Sequence, residues 1–136
     1  MPALVRIARE GDQPWNEQAF AQALKHRNLH LWIATNGVEP MGYCILSIAA
    51  DEGEIQTLAV ARRFRRSGVA TALLHHVLQA PGMSEFFLDV RADNHAAMAL
   101  YGQVGFAEID RRNRYYDDGE DAILMGITVG AEGADR

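Results

Sequence analysis

Cysteine, long apolar runs and excess positive charge are all scarce in this sequence, and each scarcity excludes a class of protein. Among the 136 residues there is one cysteine, Cys44, so an internal disulfide and a metal site made only of cysteines are excluded. No apolar run approaches the about 20 residues that a membrane-spanning helix needs. Charged residues interrupt the apolar residues near the N-terminus, unlike those of a signal peptide. We therefore expect a cytoplasmic protein without a membrane partner.

The formal net charge is −5, which disfavours a general nucleic-acid binder, because such proteins gain affinity by neutralising phosphates. The arginines are nevertheless clustered, at 62–66 and again at 111–114. Local basic patches on an acidic chain suit a small polyanionic ligand better than a duplex, so we expect no nucleic-acid partner.

Residues 1–129 are predicted to form one domain, because the chain has no internal repeat and no linker, and residues 130–136 are predicted to be a disordered tail. Apolar periodicity predicts the element order β-α-β-β-β-α-β-α-β-β. The predicted strands are 4–8, 30–35, 41–49, 54–60, 85–91, 106–110 and 122–129. The predicted helices are 15–26, a helix that follows Gly68 and stops before Pro81, and 95–104, which begins after Asp93 or Asn94.

The connections between these elements predict the sheet. A helix joins strands 54–60 and 85–91, so these two should be parallel neighbours, while the other strands pair antiparallel. Strand 41–49 is nearly all apolar, which predicts that both of its faces are covered. The expected fold class is α/β (α+β): one domain with a mixed, mostly antiparallel sheet, a central parallel strand pair and flanking helices.

The stretch 54–80 reads as a strand, an arginine-rich turn and an amphipathic helix. A helix that opens after a turn of small residues presents unpaired N–H groups and the positive end of its dipole, which together can hold a phosphate or pyrophosphate. Four arginines crowd this turn: Arg62, Arg63, Arg65 and Arg66. We therefore expect a phosphate-bearing cofactor held by backbone groups of residues 66–71, with no metal.

Three blocks of sequence resemble a known family. Arg65-x-x-Gly68-x-Ala70 resembles the acetyl-CoA-binding motif of the GNAT N-acetyltransferase superfamily, and residues 88–106 (LDVRADNHAAMALYGQVGF) resemble its second signature. Residues 111–125 (RRNRYYDDGEDAILM) are similar to the RimI-type ribosomal-protein alanine N-acetyltransferases. The resemblance implies a single GNAT domain, acetyl-CoA as co-substrate, and a protein N-terminal α-amine as acceptor.

Position by position, the resemblance also implies roles for individual residues. Backbone groups of Leu58, Ala59 and Val60 would line the thioester and the pantetheine arm, and Asn94 would contact the pantetheine region. Backbone N–H groups of six residues would hold the pyrophosphate: Arg66, Ser67, Gly68, Val69, Ala70 and Thr71. Tyr101 would be the general acid. Asp89 would be the general base, although the family usually has glutamate there, and Glu54 occupies a position that serves as the base in other members.

The chemistry of acetyl transfer is compatible with these residue types. The attacking amine must be neutral, and an α-amine has a pKa near 7.7–8.0, so a weak base is sufficient. The oxyanion needs fixed N–H donors, which a splayed strand at residues 59–60 would supply. A phenol can protonate the departing thiolate, so no covalent enzyme intermediate is required.

Each assignment has a structural alternative. Tyr101 could be a packing residue, Asp89 could pair with Arg91 or a loop arginine, and Tyr115 and Tyr116 could pack within a hairpin rather than beside an incoming peptide. His26 and His30 lack a third metal ligand, so they are expected to be surface histidines. The alternatives at the level of function are acetylation of a small amine or a lysine, and a non-catalytic acetyl-CoA-binding partner protein.

Overall fold

The computed structural model describes residues 28–129 continuously, together with positions 18, 21, 22 and 25, which are helical. Those four positions lie within the predicted helix 15–26. The predicted strand 4–8, the predicted tail 130–136 and His26 fall outside the described residues. Within the part of the chain that the structure describes, no helix is long and apolar enough to cross a membrane.

Within residues 28–129, six strands form one sheet, and one α-helix precedes and another follows the fourth strand along the chain. The strands are β1 (Leu29–Thr35), β2 (Pro40–Ala49), β3 (Glu52–Val60), β4 (Glu85–Arg91), β5 (Ala107–Arg112) and β6 (Ala122–Thr128). The helices are α1 (Val69–Val77) and α2 (His95–Val104), and a 3-10 turn covers Arg62–Phe64. The order across the sheet is β1-β2-β3-β4-β6-β5. β3 and β4 run parallel and the other neighbours run antiparallel, which confirms the predicted mixed sheet.

Alternation along β4 decides which of its side chains reach the core. Phe86, Leu88 and Val90 are buried and pack with the apolar stripe of α1, whereas the side chains between them belong to the opposite face. Four residues of α1 at helical spacing complete this core: Val69, Leu73, Leu74 and Val77. The side chains of Asp89 and Arg91 are thereby directed away from this core.

β2 is covered on both faces, as its apolar sequence predicts. Cys44 and Leu46 are fully buried in the core beneath the helices. Tyr43 and Ile45 are buried on the other face, where they pack with Ala59 of β3. β2 therefore anchors β3, the strand that runs parallel to β4.

Most strand boundaries differ from the prediction by one or two residues, and the ends of α1 and β5 show physical reasons. α1 ends at Val77, several residues before Pro81, because the chain tightens there: the amide of Ala80 donates to the carbonyl of Val77. β5 begins at Ala107 instead of Phe106 and continues to Arg112. Phe106 is buried, and its amide donates to the carbonyl of Tyr101 across Gly105, whose φ of 124° ends α2.

Candidate active site

The functional cleft begins where the two parallel strands separate. β3 and β4 pair only over their first residues, and the pairing ends at Glu54↔Phe87. Beyond that point β3 stays with β2 as far as Val60, and β4 stays with β6 as far as Arg91. The register of β3 against β2 also shifts around Gln56, a bulge that bends the strand. The two strands therefore form a fork with open facing edges.

A cleft of about 920 Å³ occupies this fork and is called the cofactor cleft below. Most residues predicted to bind the cofactor line it: Leu58, Val60, Arg66, Gly68, Val69, Ala70, Thr71 and Asn94. Ala59 and Ser67 do not. The side chain of Ala59 packs on the other face with Tyr43, and the Ser67 hydroxyl donates to the carbonyl of Phe64. The predictions for Ala59 and Ser67 concern their backbone groups, so the positions of the side chains do not test these predictions.

The turn before α1 is shaped for an anion. Arg66 and Gly68 have positive φ angles of 63° and 86°. Gly68 supplies no side-chain cap to the helix, and the first turn contains no acidic residue. The N–H groups of residues 69–71 and the helix dipole are therefore available to an anion at the edge of the cofactor cleft, and this feature is called the anion seat below. Arg65 ties the turn to β3, because its Nε donates to the carbonyl of Val60 over 3.1 Å.

The four arginines of this turn do not act as one cluster. Arg65 and Arg66 line the cofactor cleft. Arg63 instead forms an ion pair with Glu39 and stacks over Phe64, and Arg62 is exposed. Arg65 and Arg66 are therefore the arginines of this turn that are placed to contact a ligand in the cofactor cleft.

Tyr101 lies on α2 and lines the cofactor cleft. Its ring packs edge-on against Phe106, with centroids 5.8 Å apart. Burial, with a smaller effect from nearby Cys44, raises the pKa of Tyr101 to about 12. The phenol is therefore protonated at neutral pH and is a hydrogen-bond donor. Packing and access to the cleft are both present, so the two interpretations of this residue are compatible.

The carboxylate of Asp89 lies between two cavities. It lines the cofactor cleft and also a second cavity of about 280 Å³, which it shares with Glu54 and Arg112. Oδ2 lies 3.6 Å from Nη1 of Arg112, and Oδ1 is buried without a hydrogen-bond partner among the described residues. Glu54 is exposed and lines only the second of these cavities. The structure thus brings Asp89 and Tyr101, but not Glu54, to the same cleft.

A family model described as "Acetyltransferase (GNAT) family" matches residues 2–106 of the chain. The chain belongs to the GNAT acetyltransferase family. Acetyltransferases of this family take their acetyl group from acetyl-CoA, so the predicted enzyme class and co-substrate are confirmed.

The relatives of this acetyltransferase confirm the narrower resemblance as well. The chain is 35% identical over 136 residues to the ribosomal protein bS18-alanine N-acetyltransferase of Escherichia coli strain K12, covering 95% of this chain and 91% of that protein. It is 35% identical over 120 residues to the N-alpha-acetyltransferase RimI of Mycobacterium tuberculosis, covering 85% of this chain and 76% of that protein. The crystal structure of the E. coli ribosomal-protein-S18-alanine N-acetyltransferase superposes with a TM-score of 0.85 at 32% identity, covering 95% of this chain and 87% of that one.

The sequence suggested the same two interpretations for Tyr115 and Tyr116 of this acetyltransferase, but the structure places the two side chains differently. Tyr116 is partly buried and lines the cofactor cleft. Tyr115 is 49% exposed, packs edge-on against Tyr116 and lies beneath the guanidinium of Arg112. Tyr116 is therefore the member of this pair that borders the cofactor cleft.

Sequence reasoning did not anticipate that Arg91 lines the cofactor cleft or that Arg112 is the arginine that reaches Asp89. Arg91 shares the cleft-side face of β4 with Asp89, so the alternation of this strand was a usable signal. Arg112 reaches Asp89 only because β5 and β6 pair in the observed register, with Arg112 opposite Ala122. The alternative pairing of Asp89 with a nearby arginine is thus present, through Arg112 of β5 and not through Arg91.

Proposed function

We propose that this acetyltransferase moves the acetyl group of acetyl-CoA to the α-amine of a protein N-terminus, with an N-terminal alanine as the expected acceptor. One observation carries the proposal: Asp89 lies between the cofactor cleft and the second cavity. A thioester at the fork and an amine entering from the second cavity would meet beside this carboxylate. The E. coli relative is named for the alanine of a ribosomal protein, which supports the acceptor class and a cytoplasmic location.

The proposed mechanism is direct transfer. The neutral amine nitrogen attacks the thioester carbonyl carbon, the C–S bond breaks, and an amide and coenzyme A result. The backbone N–H of Val60, on the edge of β3 that faces away from β2, would donate to the oxyanion in the fork. Burial raises the pKa of Cys44 to about 12, so its thiol stays protonated in the core and is unsuited to act as a nucleophile.

Asp89 is the proposed base and Tyr101 the proposed donor to sulfur. Oδ1 of Asp89 would accept the proton that the attacking amine loses, directly or through one water. Tyr101 would donate to the departing sulfur. Because an ordinary thiol has a pKa near 8.5, complete proton transfer from a phenol whose pKa is about 12 is uphill. We therefore expect Tyr101 to stabilise the developing thiolate mainly through its hydrogen bond.

The test of the function is coenzyme A release, measured with a thiol reagent and confirmed by mass spectrometry, for a peptide that begins with alanine. The matched control is the same peptide with a blocked N-terminus and an internal lysine, alongside a panel of small amines. Release with the free N-terminus alone supports the proposal. Faster turnover of the lysine peptide or of small amines would show that the assigned acceptor is wrong. Tight acetyl-CoA binding without turnover of any amine would contradict the proposed acetyl transfer.

Three variants test the catalytic assignments together. Asp89→Asn should lower kcat by about 100-fold, the usual range for a lost general base, and Tyr101→Phe by about 10-fold or more. Glu54→Gln should change kcat by less than about 3-fold, because Glu54 does not line the cofactor cleft. Acetyl-CoA affinity, measured by calorimetry, should be nearly unchanged in all three. A large loss with Glu54→Gln and a small one with Asp89→Asn would reverse the assignment of the base.

A further inference from the structure

Arg91, the last residue of β4, joins that strand to the loop between β5 and β6. Its Nε and Nη2 donate to the carboxylate of Asp93 over 3.1 and 3.2 Å. Its Nη1 and Nη2 donate to the carboxylate of Asp118 over 3.4 and 2.7 Å. Two forked carboxylate contacts fix the plane of the guanidinium, which a single contact would leave free to turn.

The same guanidinium covers the ring of Tyr116, with Cζ 5.1 Å from the ring centroid. Tyr116 lies on the β5–β6 loop (residues 113–121) and lines the cofactor cleft together with Asp89. The loop is closed by its own backbone, since the amide of Tyr116 donates to the carbonyl of Glu120. Arg91 therefore holds this loop through Asp118 and holds the Tyr116 ring through a cation–π contact.

We propose that Arg91 is a positioning residue that holds Tyr116 in the wall of the cleft, and thereby sets where the acceptor amine lies relative to Asp89. The proposal rests on the proposed function: an amine that has passed Asp89 from the second cavity would meet the Tyr116 ring in the wall of the cofactor cleft. A small displacement of the acceptor costs much of the rate, because the attacking atom must approach the thioester in a narrow range of positions. Loss of Arg91 should therefore raise the KM for the acceptor and leave the Kd for acetyl-CoA nearly unchanged.

Arg91 adds little to the stability of the fold. Its side chain is 37% exposed, and those of Asp93 and Asp118 are 52% and 58% exposed, so solvent screens both ion pairs. A variant that lacks this arginine should consequently fold, and its kinetics can be interpreted.

The chain contains a matched control in Arg111. Its Nε and Nη2 contact Oδ2 of Asp121 at 2.8 and 2.7 Å, so it too pins the β5–β6 loop with a forked ion pair. Arg111 lines neither the cofactor cleft nor the second cavity. If the effect came from a general weakening of the hairpin, substitution of either arginine would have a similar effect. Of the two, Arg91 is the arginine that contacts Tyr116.

The kinetic experiment compares Arg91→Met, Arg91→Lys and Arg111→Met, the first of them also in a Tyr116→Ala background. Arg91→Met should raise the KM for the acceptor peptide about 10-fold, Arg91→Lys should recover part of this, and Arg111→Met should stay within about 2-fold. The Kd for acetyl-CoA should change less than about 2-fold throughout. In the Tyr116→Ala background, Arg91→Met should have no further effect. Additive effects, an equal effect of Arg111→Met, or an equal loss of acetyl-CoA affinity would overturn the proposal.

A second measurement does not depend on turnover, so it separates failure of this inference from failure of the proposed function. Burial and the charges of Asp89, Tyr115 and Asp93 raise the pKa of Tyr116, whereas the charge of Arg91 lowers it. Carbon-13 NMR of labelled tyrosine, assigned by the resonance missing in Tyr116→Phe, should show a higher Tyr116 pKa in Arg91→Met and an unchanged one in Arg111→Met. An unchanged pKa in Arg91→Met would exclude the contact even in a protein that acetylates no peptide.

Discussion

α1 and α2 both have their N-termini at the cofactor cleft, but they differ in whether a side chain accepts a hydrogen bond from the N–H groups of the first turn. α2 begins after Asn94, whose Oδ1 accepts from the amide of Ala97 over 3.1 Å. α1 begins after Gly68, which offers no side chain, and neither helix has an acidic residue in its first turn. The cap is therefore the clearest local difference, and it leaves the N–H groups at the start of α1 available to an anion.

The surroundings of the two termini strengthen this contrast. Asp93 precedes the cap of α2 and brings a carboxylate close to that terminus, where it pairs with Arg91. Arg65 and Arg66 border the terminus of α1 instead. A glycine in place of a capping side chain costs only about a few tenths of a kcal/mol. The glycine cap of α1 therefore leaves the N–H groups of the first turn available to an anion at little cost in stability.

The largest expected effect comes from placing a charge in the anion seat. Ala70→Asp introduces a carboxylate at the second position of α1, where it would interact with the helix dipole and repel the diphosphate of acetyl-CoA. Acetyl-CoA affinity measured by calorimetry should fall about 100-fold, corresponding to about 3 kcal/mol. The melting temperature should stay level or rise slightly, because the charge favours the helix N-terminus.

The matched variant is Ala96→Asp, at the second position of α2, which also lines the cleft. Its effect on acetyl-CoA affinity should be below about 5-fold, since the diphosphate is not expected at that terminus. Equal losses in the two variants would show that the charge of the cleft matters and the choice of helix does not.

A smaller effect should follow from removal of one donor. Ala70→Pro deletes an N–H group in the first helical turn, where proline is tolerated, and should weaken acetyl-CoA about 10-fold, the lower range for a charge-assisted hydrogen bond. Ala96→Pro makes the same change in α2 and should alter the affinity less than about 2-fold. Isothermal titration of both proteins checks the difference, and a larger loss with Ala96→Pro would move the anion seat to α2.

The smallest effect on binding is expected from the cap of α2. Asn94→Ala should lower the free energy of unfolding by about 1 kcal/mol, or the melting temperature by about 4 °C, through loss of the cap. Acetyl-CoA affinity should fall no more than about 5-fold, the scale of one neutral hydrogen bond. Asn94→Asp keeps the capping oxygen but lacks the amide donor. It should restore stability without restoring affinity if the amide contacts the cofactor, as the family resemblance implies.

Local signals predicted some elements completely. The bounds of β4 and of α2 were predicted without error, because alternation marks the strand and because Asn94 and Gly105 bracket the helix. The end of α1 was predicted too late, since Pro81 marks where a helix cannot continue and not where tertiary packing ends it. Local sequence patterns also could not predict where the fork begins. The point at which β3 and β4 stop pairing depends on the pairing of β3 with β2 and of β4 with β6.

The family was determined by the sequence alone, and the candidate residues of the anion seat, with Asp89 and Tyr101 as candidate catalytic residues, were indicated by it. Each is written within a short stretch: the turn at 65–70 or the signature at 88–106. The tertiary structure decided how these stretches are used. It placed Asp89 in the cofactor cleft and Glu54 outside it, and it brought Arg112 to Asp89 and Arg91 to Tyr116. Those contacts depend on strand register and loop closure between residues far apart in the chain, which no local pattern specifies.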